Sequence, residues 1–209
     1  MMVAFAWLPH FGKSAGMLRI DTDLCHLMRV FSYEKQHRLK TKRSIHSMKK
    51  INWKSLLISL ALSLGTGVLG SVLSGGGMTQ YAERYRPPLS PPGWVFPVVW
   101  TVLYILMGIA SYLIWESGHT GGKLSGEAAS VLTLYLISLG LNLLWPILFF
   151  RSETYLLAFA DLILLWISIF LIIKRFRPIH ETAAKLLLPY LIWVTFAGYL
   201  NLAIALYYL

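Results

Sequence analysis

Three long apolar stretches of the sequence carry aromatic residues beside polar or small ones, at steps of three or four residues. That spacing places the side chains on one face of a helix. Rings grouped in this way can enclose a flat apolar ligand, and an indole N–H remains free to donate. The three faces are Trp100 with Tyr104, Asn142 with Trp145 and Phe149, and Trp193 with Ala197 and Asn201.

Other tryptophans have a simpler explanation. Trp53, Trp94 and Trp115 fall near the ends of apolar stretches, where aromatic rings usually form the belt at the membrane interface. Trp100, Trp145 and Trp193 lie further inside their stretches. We therefore interpret only the inner group as a candidate pocket lining.

Asp161 is the one acid well inside an apolar stretch. A charge at that depth costs roughly 2.5–3.5 kcal/mol on insertion scales, so the side chain should face the bundle interior and have a partner. Asn142 and Asn201 are the candidate partners. The ordinary role is a hydrogen-bond clamp between helices, and the alternatives are a ligand contact or a proton carrier. No second buried acid completes a relay, which disfavours a pump.

Several classes of function lack the residues they need. The apolar stretches supply no Ser-His-Asp set, phosphate loop or carboxylate pair, so nothing supports a hydrolase or a kinase. Cys25 is the only cysteine, which excludes an intrachain disulfide, and no Cys/His spacing typical of a metal site occurs. We expect no metal and no required cofactor.

Composition indicates a membrane protein. Hydrophobic residues make up 56% and charged residues 13%, against about 25% charged in soluble domains. Five apolar stretches approach the roughly 20 residues that a bilayer core requires, and backbone groups in lipid must bond internally, so all five are helices. The sequence predicts an all-α bundle with spans at 55–74, 94–115, 128–150, 154–173 and 186–209, the fourth ended by Lys174 to Pro178.

Positive charge is concentrated near the N-terminus. Residues 1–54 carry a net charge of +8 and residues 55–209 a net +2. Because the basic block adjoins an apolar span, we expect it to face anionic lipid rather than nucleic acid. Residues 1–47 are interpreted as a translated upstream stretch or a disordered tail, and residues 48–209 as the membrane domain.

The distribution of Lys and Arg predicts the orientation. With the N-terminus in the cytoplasm, eight cations lie inside and three outside, which is the favoured arrangement. We predict a multi-pass protein of a bacterial cell membrane with a cytoplasmic N-terminus. The inside cations are Lys49, Lys50, Lys54, Lys123, Lys174, Arg175, Arg177 and Lys185, and the outside ones Arg84, Arg86 and Arg151.

Two further features concern packing and access. Ser59, Ser63, Gly67 and Ser71 recur every four residues, a ridge of small side chains that lets another helix approach closely. Residues 86–93 contain four prolines, which make a stiff, extended connector. This connector is either a linker or a rigid lid over a cavity at one end of the bundle.

Together these residues resemble the TspO/MBR family of tryptophan-rich sensory and translocator proteins. The likeness extends over residues 48–209, with four motifs in the family's order. They are Tyr81 with residues 87–93 and 96–108, residues 141–150, Asp161, and residues 188–201.

The resemblance implies a five-helix bundle, often a homodimer, with a pocket closed by the first loop. Family members bind porphyrins such as protoporphyrin IX or haem, and some bind cholesterol or drug-like isoquinolines. Leu89 replaces a usual Trp, and Tyr207 lacks the Lys or Arg that a sterol pattern needs. The implied ligand-binding residues are Tyr81, Pro91, Trp100, Tyr104, Asn142, Trp145, Asp161, Trp193 and Ala197.

These observations lead to three hypotheses. The first is a membrane protein that senses or handles tetrapyrroles, with the macrocycle stacked between Trp100 and Trp193 and its propionates near Arg84 or Arg86. The second is an enzyme that degrades porphyrin in light through the same two tryptophans. The third is a transporter, which the lack of an inverted repeat disfavours.

Overall fold

The computed structural model describes residues 51–75, 85–120 and 122–209. The predicted extension, residues 1–47, and the candidate Tyr81 lie outside the described residues. Within the described ranges, five helical segments are long and apolar enough to cross a membrane. The prediction of an all-α bundle of five transmembrane helices is confirmed.

The spans follow one another closely along the chain. A short hairpin of β1 (His119–Thr120) and β2 (Lys123–Leu124) joins the second span to the third. The last two helices together form the fifth span. The helices are α1 (Trp53–Leu73), α2 (Val95–Ser117), α3 (Gly126–Pro146), α4 (Tyr155–Ile179), α5 (Glu181–Leu186) and α6 (Leu188–Tyr207).

Side chains and turns fix where several helices begin and end. The Asn52 side chain accepts a hydrogen bond from the Ser55 N–H at the start of α1, and Ser125 does the same for Ala128 at the start of α3. Such caps satisfy backbone donors that have no partner in the first turn. After Pro146 the chain continues as a π-helical turn, Ile147–Arg151.

The predicted end of the fourth span is wrong. Lys174 to Pro178 do not stop the helix, which continues to Ile179. Phe176 is fully buried while Lys174, Arg175 and Arg177 are exposed. The helix therefore continues because one side of its last turns still packs on the protein, while the long cationic side chains extend into the polar interface.

The ridge of small residues on α1 packs as predicted. A Cβ added to Gly108 of α2 would lie 3.0 Å from the Cα of Leu60, so the two helices approach to backbone contact. Further along α1, the Ser63 hydroxyl forms a 2.7 Å hydrogen bond with the Tyr135 hydroxyl of α3. Helix α1 thus lies against both α2 and α3, and α4 packs between α3 and α6.

Candidate ligand cavity

A cavity of about 310 Å³ lies between α1, α2 and α3. Its walls come from the second half of α1, the first turns of α2 and the end of α3, so it occupies the end of the bundle where the first two spans are joined. The aromatic lining residues are Phe96, Trp100, Tyr104, Trp145 and Phe150, and the others are Leu64, Gly67, Val68, Gly70, Ser71, Ser74, Pro97, Thr101, Asn142 and Pro146.

The small face of α1 gives the cavity its depth. A Cβ added to Gly67 would overlap the Tyr104 ring, so glycine is needed there for α1 to lie against this side chain. Trp100 stacks on the same ring, with centroids 5.6 Å apart, and meets Tyr190 edge-on at 6.2 Å. The aromatic wall on α2 is thus held in place from both sides.

Below the rings lies a chain of buried hydrogen bonds. The Tyr104 hydroxyl donates to Asn142 Oδ1 at 3.0 Å, and Asn142 Nδ2 donates to the Tyr190 hydroxyl at 2.5 Å. All three side chains are at most 7% exposed. This chain gives the apolar cavity a polar floor that joins α2, α3 and α6.

A second group of contacts holds the Trp145 wall. Trp145 Nε1 donates to Asn201 Oδ1 at 3.0 Å, and Asn201 Nδ2 donates to the Tyr155 carbonyl at 2.8 Å. The Trp145 ring also stacks on Phe149, with centroids 5.1 Å apart. Asn201 therefore connects α3, α4 and α6 and fixes the orientation of the indole.

Trp193 and Ala197 lie outside the cavity lining. Ala197 borders a separate void of about 20 Å³. Phe96 lines both spaces and meets the Trp193 ring edge-on at 5.9 Å. Trp193 Nε1 is buried and has no hydrogen-bond partner among the described residues. The structure therefore places Trp100 and Trp145 around the cavity, whereas Trp193 lies behind Phe96, in contact with its ring.

The predicted partners of Asp161 are wrong. The Asn142 and Asn201 side chains make their hydrogen bonds with other residues. Asp161 is 5% exposed, and neither of its carboxylate oxygens has a hydrogen-bond partner in the described part of the chain. Asp161 does not line the cavity. It is a buried acid facing the interior without the clamp that its position predicts.

The described part of the proline-rich connector is attached to α6. The Tyr199 hydroxyl donates to the Pro88 carbonyl at 3.0 Å, and Tyr85 stacks on Tyr207 with centroids 4.0 Å apart. Leu89 is 80% exposed with a positive φ of 68°, so it gives the cavity no wall. Pro91 belongs to this connector and does not line the cavity.

Sequence reasoning missed some of the lining residues. Phe150, Thr101 and Gly67 were not among the predicted site residues. The four-residue spacing of small side chains on α1 indicated close packing, and the same spacing also leaves room for the cavity. Of the nine predicted residues, the cavity is lined by Trp100, Tyr104, Asn142 and Trp145.

Comparison with known proteins agrees with this architecture. The TspO/MBR family profile matches residues 58–207. The chain is 36% identical to the tryptophan-rich protein TspO of Chlorobaculum tepidum over 151 residues, which cover 72% of this chain and 93% of that protein.

Two further relatives come from other domains of life. The chain is 38% identical to the tryptophan-rich protein TspO of Archaeoglobus fulgidus, covering 74% and 97% of the two chains. It is 41% identical to the translocator protein of Ovis aries, covering 65% and 79%. With its five apolar helices, the chain belongs to the TspO/MBR family of multi-pass integral membrane proteins.

Proposed function

We propose that this protein binds a flat hydrophobic ligand of the tetrapyrrole class in the cavity between α1, α2 and α3, and that it serves to sense or handle porphyrins. The observation that carries the proposal is the lining itself. Rings on α2 and α3, Trp100 and Trp145 among them, surround a polar floor that contains Asn142. Apolar walls with a few fixed polar groups are typical of small-molecule sites.

The size of the cavity decides how such a ligand would sit. A volume of 310 Å³ is at the low end of the roughly 300–1,000 Å³ of ligand pockets. A macrocycle would therefore be enclosed only in part, unless the cavity enlarges. Because Phe96, like Trp145 and Phe150, borders both voids, rotation of its ring would open the cavity toward the smaller void and bring Ala197 into contact with the ligand.

Titration with protoporphyrin IX, followed by tryptophan quenching, tests the proposal. Trp100→Ala removes a wall and should weaken binding about 5- to 150-fold, since base-sized aromatic contacts are worth about 1–3 kcal/mol. Phe96→Ala also removes a ring from the lining but widens the cavity toward the smaller void, so it should weaken binding less than Trp100→Ala does. Trp53→Ala is the matched control, because Trp53 is an exposed tryptophan at the start of α1 and does not line the cavity.

The variants also separate failure of the site from failure of the fold. Each should retain the thermal unfolding midpoint of the wild type within a few degrees before its affinity is compared. If the double variant Trp100→Ala with Trp193→Ala binds protoporphyrin IX as tightly as the wild type does, the proposed site is wrong. Loss of porphyrin absorbance on illumination of the wild type, and not of Trp193→Phe, would favour degradation over sensing.

A further inference from the structure

The outward face of α4 ends in a ladder of rings and cations. Trp166 stacks on Phe170 with centroids 5.5 Å apart and planes 10° apart. Lys174 Nζ lies 5.2 Å from the centre of the Phe170 ring. Steps of three and four residues keep these side chains on one helical face, which Arg177 continues. We name Trp166, Phe170, Lys174 and Arg177 the α4 ladder.

The Trp166 end of the ladder is held by hydrogen bonds to α6. Trp166 Nε1 donates to Thr195 Oγ1 of α6 at 2.8 Å, and that hydroxyl donates to the Leu191 carbonyl at 2.8 Å. The indole is therefore held in one orientation. Phe170 packs on it, and the ring in turn positions the ammonium group of Lys174 by a cation–π contact. A preorganised surface loses less entropy when it binds a ligand.

The ladder belongs to the lipid-facing surface. Ile163, Ile167 and Leu171 flank it, and each is more than a third exposed. From Trp166 to Lys174 the helix rises by about 12 Å, close to the roughly 15 Å of one leaflet's hydrocarbon layer. An acyl chain lying along the two rings would therefore place its phosphate at the level of the cations.

Charge determines which lipid fits. Lys174, Arg175 and Arg177 are exposed cations within four residues. The next acid along the chain is Glu181, which interacts with Arg177 but forms its 2.9 Å ion pair with Lys185. The end of the ladder therefore has an excess of positive charge, which a zwitterionic headgroup cannot neutralise.

We propose that the α4 ladder is a binding site for an anionic phospholipid. Its phosphate contacts Lys174 and Arg177, and an acyl chain lies along Phe170 and Trp166. The arginine supplies the forked donors that suit phosphate oxygens, and the lysine supplies a point charge. The site faces the bilayer and is separate from the cavity between α1, α2 and α3, so it goes beyond the proposed porphyrin function.

Native mass spectrometry of the detergent-solubilised protein, titrated with phosphatidylglycerol or phosphatidylcholine, tests this site. The wild type should bind phosphatidylglycerol more tightly than phosphatidylcholine. Lys174→Gln should weaken phosphatidylglycerol binding about fivefold, the value expected for one cation near an anionic headgroup. The double variant Lys174→Gln with Arg177→Gln should weaken it by more than about tenfold. Phe170→Ala should also weaken it without a change in charge.

The matched control is Lys54→Gln with Lys123→Gln, which removes two exposed cations at the start of α1 and in β2, away from the ladder and from the Glu181–Lys185 ion pair. Its affinity for phosphatidylglycerol should stay within twofold of the wild type. An equal loss in this control would overturn the proposal in favour of a general effect of charge. The proposal would also be overturned if the double variant Lys174→Gln with Arg177→Gln kept the wild-type affinity for phosphatidylglycerol. The same holds if the wild type bound the two lipids equally tightly.

Discussion

Two sets of buried polar side chains in this bundle differ sharply in how well they are bonded. Asn142 and Asn201 each connect three helices through hydrogen bonds of 2.5–3.0 Å. The Asp161 carboxylate and the Trp193 indole N–H are also buried, yet they find no partner among the described residues. Asn142 is on α3, Asp161 on α4, and Asn201 and Trp193 both on α6, so neither burial nor the choice of helix explains the difference.

The difference separates side chains that join helices by hydrogen bonds from side chains that do not. In a membrane, apolar burial does little to join helices, and packing and interhelical hydrogen bonds take a larger share. Asn142 and Asn201 supply such bonds. An unbonded buried group costs stability instead. Asp161 and Trp193 supply no such bond, although the Trp193 ring packs against Phe96 of α2.

Replacement of Asn201 should have the largest effect on stability. Asn201→Leu removes two interhelical hydrogen bonds and leaves the Trp145 N–H unpaired, so the free energy of unfolding should fall by roughly 1–2 kcal/mol. Thermal unfolding in detergent measures the loss. Leu136→Ala, a change on the exposed face of α3, is the control and should cost less. No loss in Asn201→Leu would remove the distinction between the two sets.

The sequence predicts much of the fold because lipid restricts the choices. Five apolar stretches of the right length are sufficient to predict five helices, and aromatic residues spaced on one face identify Trp100, Tyr104, Asn142 and Trp145 as neighbours. The end of α4 was mispredicted because Phe176 packs on the protein beyond the apolar stretch. Local composition does not contain that tertiary contact.

The partners of buried polar groups could not be predicted either. Spacing shows which residues share a helical face, but not how far each helix is rotated toward its neighbours. Asn142 meets Tyr104 and Tyr190 rather than Asp161, because two tyrosines reach it from α2 and α6. The rotation of the helices also decides where Phe96 lies. It borders two voids whose walls come from several helices, so its position could not be predicted from spacing.

Replacing Asp161 by asparagine tests whether a buried side chain without a hydrogen-bond partner lowers the stability of the bundle. Asp161→Asn keeps the shape of the side chain and removes the cost of burying a carboxylate, so the free energy of unfolding should rise by about 1 kcal/mol at alkaline pH, where the acid is ionised. Equilibrium unfolding in detergent measures the change, with Asn142→Asp as the opposite control that introduces an acid at a bonded position. A loss of stability in Asp161→Asn would mean that the carboxylate has a structural partner after all.

The smallest expected change in stability tests a single hydrogen bond, the one that Trp145 donates to Asn201. Trp145→Phe and Trp193→Phe remove the same indole nitrogen from two partly buried tryptophans, so their volume terms are similar. Only Trp145 donates a hydrogen bond, to Asn201, and interhelical bonds of this kind average about 0.6 kcal/mol in membrane proteins. Trp145→Phe should therefore be less stable than Trp193→Phe by at least that amount in paired unfolding measurements, because Trp193→Phe also removes an unpaired buried N–H. Equal stability would show that the hydrogen bond contributes nothing, whereas a larger loss in Trp193→Phe would reverse the assignment of the two indoles.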